Sequence, residues 1–236
     1  DSLCLDAMTI TGQTLGDNID AHARNYPQDI VKSIKQPVHS GGSIAVLSGN
    51  LAPHGAIIKQ SAASPDLLVH EGRAVVFQAL RDLALRLDDP NLDVHADDIL
   101  VLQNIGPRGA PGMPEAGLIP IPKKIAQTGV TDMVRISDGR MSGTASGTIV
   151  LQVDPEAAIG GTLALVRNGD RIRLDVPQRR LDLLVGEEEL NERRQSFVPP
   201  SFDMERGYAK LFHEHVTQAN QGVDFDFMIP KKDVSS

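Results

Sequence analysis

The sequence has no tryptophan, two tyrosines and six phenylalanines in 236 residues, so aromatics make up only 3% of it. That excludes an interior built on stacked rings, and the core must be aliphatic, from Val, Ile, Leu and Ala. There is one cysteine, Cys4. It has no partner for an internal disulfide and cannot by itself ligate an iron–sulfur cluster. No window holds the roughly 18 apolar residues of a membrane span. The opening DSLCLDAMTI lacks a basic start and a long apolar run, so no secretory leader is expected. Positive charge is not in excess: 23 Lys and Arg face 31 Asp and Glu, a formal net charge of -8. Nucleic-acid affinity rests on neutralising phosphates, so this balance argues against such a partner. The pairs Arg179-Arg180 and Arg193-Arg194 have acidic neighbours and read as solvated faces. There is no G-x-G-x-x-G after the first strand, no P-loop, no G-x-S-x-G elbow, no H-E-x-x-H and no zinc spacing. His213 and His215, two apart on a helix, face different sides and make a poor metal pair.

What the chain does have is turn formers, 21 Gly and 15 Pro, set between short apolar runs. Strands are expected over 43–48, 56–59, 99–103, 133–137, 148–153, 162–166, 171–176 and 180–185. Residues 67–70 and 73–76 flank Glu71-Gly72 and suggest a hairpin or close pair. Asn168-Gly169 predicts a second hairpin, joining 162–166 to 171–176. Helices are expected over 15–24 (capped by Thr14), 77–87, about 122–127, 186–196 and 203–218, with a short one led by Pro155. In the fourth, GEEELNERRQS, acids come first and arginines last, as the helix dipole favours. The mixed order points to an α+β fold, a β-barrel of about eight strands surrounded by helices, rather than a doubly wound sheet. The chain reads as a helical lead-in over 1–40, a barrel core over 41–198 and a helix with tail over 199–236.

Residues 104–148 carry the chemistry. Two Gly/Pro-dense loops lie at strand ends, one from Gly106 to Gly117 containing Glu115, the other reading SDGRMSGTASG from Ser137. Loops this rich in glycine allow close backbone approach to a ligand and do little core building. Glu115 can serve as an oxygen ligand for a hard divalent cation or stand as a solvent-exposed acid. Ser142, beside Gly143, reads on its own as turn chemistry. Arg140 can grip a substrate carboxylate in a two-pronged contact, or pin the loop by pairing with Asp138, and Arg108 is a weaker case of the same kind. Asn50 and His54, in GNLAPHG, read as loop structure.

GPRGAPGMPE followed by DGRMSG resembles the dihydroxy-acid, phosphogluconate and sugar-acid dehydratase family, and SGNLAPHGA, VDPEAAIGG, LVRNGDRIRLDVPQRRLDLLV and GYAKLFHEHVTQANQGVDFDF extend the resemblance over nearly the whole chain. The chain is similar to the C-terminal part of such proteins, and SDGRMSGTASGT with GLIPIPKK is closer to the sugar-acid (arabinonate or xylonate) branch. The resemblance implies a swivelling-type β-barrel, also found in aconitase-like enzymes, and β-elimination of water from a 2,3-dihydroxy acid. It makes Glu115 a magnesium ligand and Ser142 the base for the α-proton, with Thr144 hydrogen-bonding the substrate or orienting that serine. It places the iron–sulfur cluster ligands, and most magnesium ligands including a modified lysine, in an N-terminal domain. The expected partners are therefore a sugar-acid substrate, that N-terminal domain and further copies in a dimer or tetramer. Cytosol, or an organelle matrix in eukaryotes, is the expected compartment, and the chain alone is expected to be inactive. The competing reading is a non-catalytic barrel that caps a substrate or binds another protein.

Overall fold

The computed structural model describes residues 3–22, 28–202 and 204–229. Contacts divide the chain into two units, Asp1–Ser40 and Gly41–Ser236. In the first, helix α1 (Leu15–His22) starts where the Thr14 hydroxyl accepts the Asp17 N–H at 3.1 Å and donates to the Asp17 carboxylate at 2.7 Å. This is the cap that Thr14 predicts. Residues 23 and 24 of the expected helix lie outside the described residues.

The second unit is one mixed eight-stranded sheet. Its strands are β1 (Ala45–Leu47), β2 (Gly55–Ile58), β3 (Val69–Phe77), β4 (Ile99–Leu102), β5 (Arg135–Ser137), β6 (Ile149–Asp154), β7 (Arg171–Asp175) and β8 (Arg180–Leu183). They lie in the order β1-β2-β6-β5-β4-β3-β7-β8. The four central strands, β6, β5, β4 and β3, run parallel, and each flank is antiparallel. Ser48, just past β1, bridges Arg180 of β8, so the two edges nearly meet and the sheet curls into a barrel. The eight-stranded α+β barrel expected from sequence is thus present.

Alternation along the second half of β3, Ala74–Phe77, and along β4 explains why these stretches are apolar throughout. Ala74, Val76, Ile99 and Val101 belong to the barrel interior. Val75, Phe77, Leu100 and Leu102 face a second apolar layer containing Leu83 and Leu87, from α2 (Leu80–Arg86) and its C-cap, and Ile125 of α3 (Lys123–Ala126). A strand covered on both faces needs no polar side. At the rim, β7 alternates exposed and buried, as Arg-Ile-Arg-Leu-Asp requires. Arg171 and Arg173 both pair with Glu71 across the ladder, at 3.1 and 2.9 Å. Among the described residues, no helix is long and apolar enough to cross a membrane.

Five expectations are corrected. Glu71-Gly72 is not a turn: β3 runs unbroken through it, because a Cβ at Gly72 would overlap the Asp97 carbonyl, and glycine there permits close packing. Residues 162–166 are not a strand but a 3-10 turn, Thr162–Leu165, so Asn168-Gly169 joins that turn to β7. The Asn168 side chain instead accepts the Val76 N–H at 2.6 Å. The helix expected to be led by Pro155 starts two residues later, as a 3-10 turn over Ala157–Ile159. Arg193, in α4 (Glu187–Gln195), is buried rather than solvated: it pairs with Asp170 and Glu189 and donates to the Leu165 carbonyl at 2.8 Å. The last helix, α5 (Tyr208–His215), is shorter than expected, and position 203 lies outside the described residues.

The Gly72 packing yields a prediction. Gly72→Ala should lower the unfolding free energy by about 1–3 kcal/mol, the usual cost of forcing a methyl into a filled site. Urea titration followed by circular dichroism measures it, and an unchanged midpoint would contradict the close approach.

Candidate functional site

Leu102 of β4 pairs with Ser137 of β5 in parallel, so the chain leaves both strands at the same end of the sheet. The two Gly/Pro loops start there. Neither has a strand partner for its backbone, and buried N–H groups need one. Carboxylates supply it. Asp138, fully buried, accepts the Ile105 N–H at 3.0 Å and the Ala157 N–H at 2.9 Å. Glu156, also buried, accepts the Arg108 and Gly109 N–H groups at 2.9 Å and the Gln218 amide at 2.6 Å. Asp132 accepts the Thr148 N–H and hydroxyl and the Ser64 hydroxyl, and it pairs with Arg135 at 2.6 Å. Arg135 in turn donates to the Leu118 and Ile119 carbonyls, fixing the far end of the first loop. Gly106 allows this construction, since a Cβ there would lie 2.7 Å from the Glu156 carboxylate.

The loops also lock to each other. The Gly117 N–H donates to the Arg140 carbonyl at 2.7 Å, and Arg140 Nε donates to the Met113 carbonyl at 2.6 Å. Arg140 Nη1 lies 3.7 Å from Glu115 Oε1, and each side chain is about half exposed, 47% and 49%. Two residues on, Ser142 Oγ sits 3.0 Å from Thr144 Oγ1, with the Thr144 N–H directed at it at 3.4 Å. From the end of β2, Lys59 Nζ donates to the Gly143 carbonyl at 2.7 Å.

The structure therefore brings Glu115 and Arg140 side by side, on the loop that also bears Ser142 and Thr144. It separates Asp138 from them. Of the two alternatives for Arg140, pairing with Asp138 is not the one formed: Asp138 has no exposed surface and both its oxygens are engaged by backbone. It anchors the loop and in this conformation offers nothing to a ligand. Burial pushes its carboxyl up to about 7, the Glu156 charge adds to the rise, and the Ala157 and Ile105 N–H groups oppose it. Burial also raises Asp132, but hydrogen bonds from Thr148 and Ser64 outweigh it and leave that carboxyl below its ordinary value. Asn50 exchanges two hydrogen bonds with the Leu183 backbone and is structural. His54 leans on buried Asp154 at 3.1 Å. His213 and His215 contact the Arg108 carbonyl and Asp226 respectively.

Among the described residues, no three His, Cys, Asp or Glu side chains are grouped to hold a metal. Glu115 offers a single carboxylate with no grouped companion ligands among the described residues, and Cys4 is a free exposed thiol. The surface is open. A cleft of about 330 Å³, lined by Gln78, Gln103, Asn104, Arg167 and others, shares no residue with the loop pair. Sequence reasoning missed Glu156, Asp132 and Lys59. For Glu156 a signal existed, an acid in an otherwise small and apolar turn, Ala157-Ala158-Ile159-Gly160-Gly161.

The pattern of the family Dihydroxy-acid/6-phosphogluconate dehydratase C-terminal matches residues 29–223. The chain belongs to that family. It is 49% identical to an L-arabinonate dehydratase of Rhizobium leguminosarum bv. trifolii, over 94% of this chain and 38% of the relative. It is 50% identical to a 6-deoxy-6-sulfo-D-gluconate dehydratase of Pseudomonas putida, over 96% and 39%. A dihydroxy-acid dehydratase of Methanothrix thermoacetophila is 41% identical, over 93% and 40%. The chain thus spans about two fifths of the length of these family members.

The buried Asp138 makes stability depend on pH in a definite sense. Its folded-state value, about 7, lies above the ordinary 3.8, so the folded chain holds a proton there that the unfolded chain has lost. Stability from this group is complete below about pH 4 and falls as pH rises through 7. Asp138→Asn lacks that dependence, but its amide must turn a donor toward Ile105 or Ala157, costing about 1–3 kcal/mol. The gap in unfolding free energy between the native chain and Asp138→Asn should therefore narrow from pH 5 to pH 8. Urea unfolding at both values tests this, and a widening gap would contradict the assignment.

Proposed function

We propose that this chain is the C-terminal part of a hydro-lyase that dehydrates a 2,3-dihydroxy sugar acid to a 2-keto-3-deoxy acid. Membership of the dehydratase family supports the reaction class. The L-arabinonate and 6-deoxy-6-sulfo-D-gluconate relatives, at 49% and 50% identity, favour a sugar acid over the branched-chain dihydroxy acids. The observation that carries the reading is the interlocked loop pair, which presents Glu115, Arg140 and the Ser142–Thr144 hydroxyl pair on one open surface.

Each residue has a role its geometry allows. Arg140, with its guanidinium half exposed, takes the substrate carboxylate. Ser142 Oγ, as its anion, takes the C2 proton while the C3–O bond breaks; the serine then returns that proton to the departing hydroxide, which leaves as water with the serine anion restored, and the enol relaxes to the ketone. Thr144 offers Ser142 Oγ a hydroxyl at 3.0 Å and an N–H at 3.4 Å, both able to donate to it once it carries charge. Asp138 supports from beneath, through the backbone. Glu115 fits a hard cation as a carboxylate ligand, and magnesium, if held there, would supply positive charge against the anion that develops on the substrate. An iron–sulfur cluster does not fit the residues present, since the sole cysteine, Cys4, is exposed and has no companion ligands. Its ligands belong to the N-terminal domain that we assign as this chain's partner in the full-length protein. That protein is read as a cytosolic homo-oligomer.

Assay of the full-length protein, supplied with iron and magnesium, tests this on L-arabinonate, D-xylonate, D-gluconate and 2,3-dihydroxyisovalerate. Ser142→Ala should lower kcat by about 10²–10⁴-fold, the usual worth of a positioned base. Glu115→Gln should raise the magnesium concentration needed for half activity. Turnover unchanged in both, with the fold intact, would leave the loops as scaffold and favour the non-catalytic barrel.

A further inference from the structure

A serine hydroxyl is a poor base near neutral pH, and becomes a competent one only where its anion is stabilised. Among the described residues, the donors that reach Ser142 Oγ are both from Thr144, its hydroxyl and its N–H. That N–H belongs to the Gly143–Thr144 peptide, and the carbonyl of the same peptide, on Gly143, accepts from Lys59 Nζ at 2.7 Å. One flat unit therefore joins an ammonium at one end to Ser142 Oγ at the other. Lys59 follows β2, 84 residues away in sequence, and is partly shielded from water. The peptide is planar and stiff, so holding its oxygen fixes where its N–H points. A cation on the carbonyl also polarises the unit and strengthens the N–H as a donor.

We infer that Lys59 is a positioning residue for Ser142, acting through the Gly143–Thr144 peptide to favour the serine anion. This rests on the reading of Ser142 as the base. It differs from a simple loop clamp in what it predicts: a clamp holds the turn in place, whereas an electrostatic aid also sets the pH at which the serine becomes active.

The test uses the full-length protein with Lys59→Met, Lys59→Arg and Ser142→Ala, and two readouts. The first is kcat and KM for L-arabinonate from pH 6 to 9.5. Lys59→Met should lower kcat at pH 7 by about tenfold or more, with KM changed little, and move the rising limb of the pH profile up by about one unit, a tenfold change in the serine's acidity. Lys59→Arg should restore most of both. The second readout is the rate at which diisopropyl fluorophosphate labels Ser142, located by peptide mass spectrometry and needing no turnover. Labelling should be at least tenfold slower in Lys59→Met than in wild type, and recovered in Lys59→Arg. If Lys59→Met keeps the wild-type pH profile and labelling rate while Ser142→Ala is inactive, the base reading stands and the inference about Lys59 falls. If Ser142→Ala turns over normally, the base reading fails, and the labelling comparison still decides whether Lys59 activates that hydroxyl. Equal labelling in wild type and Lys59→Met, or none in either, overturns the inference.

Discussion

A loop without a strand partner still has backbone N–H groups, and burying them unpaired is costly. Everything distinctive in this chain follows from how two long Gly/Pro loops meet that constraint. Three acids, Asp132, Asp138 and Glu156, serve as acceptors for loop N–H groups that no ladder reaches. The solution carries its own cost, since a buried carboxylate loses hydration. Asp138 shows the cost openly in a carboxyl pushed up to about 7, beside a second buried acid. Asp132 shows how it is offset, by several donors and the Arg135 charge. A construction of this kind holds loops rigidly without spending apolar side chains, and so leaves their outer surface free for polar ones.

The sheet decides where those loops go. Parallel β4 and β5 must both end at the same rim, and the antiparallel flanks let the edges come round until Ser48 meets Arg180. A doubly wound sheet would also place loops at its carboxyl ends. The strand order here does something more: it pairs β2 with β6, so that Lys59, just past β2, reaches the second loop as it returns. Side chains from three separate stretches thus share one surface for reasons of strand order alone.

Legibility from sequence followed the range of the interaction. Patterns confined to a few residues were readable: the alternation in β7, the Thr14 cap, the charge order of α4, the apolar run of β4. The loop pair was readable as two glycine-dense stretches, and the residues on it came from resemblance. What failed depended on distant partners. Gly72 looks like a turn until the Asp97 carbonyl is placed against it. Residues 162–166 look like a strand, but they coil into a buried 3-10 turn, whose apolar side chains pack without a strand partner. Asp138 and Arg140 are two apart and invite pairing, yet one points into the barrel rim toward Ile105 and the other out toward Glu115. Glu156, 48 residues from Arg108, and Lys59, 84 from Gly143, carry no local periodicity at all.

The exposure of the site bears on how its chemistry operates. Two unit charges 4 Å apart interact by about 1 kcal/mol in bulk water and about 4 kcal/mol at an effective dielectric near 20. Glu115 and Arg140 are each half exposed, and the Ser142–Thr144 pair lies on the same open loop, so in this surface alone charge stabilisation is near the weaker figure. What the chain contributes is geometry: donors already aimed, loops already tied, and little reorganisation left to perform when charge develops. Such a surface gains most when something else excludes water from it. A fixed array of dipoles is worth little when wet and several times more when dry, so the same contacts that look modest here become strong once the face is covered. That is the physical sense in which a rigid, open loop pair is suited to be one wall of a site rather than the whole of it.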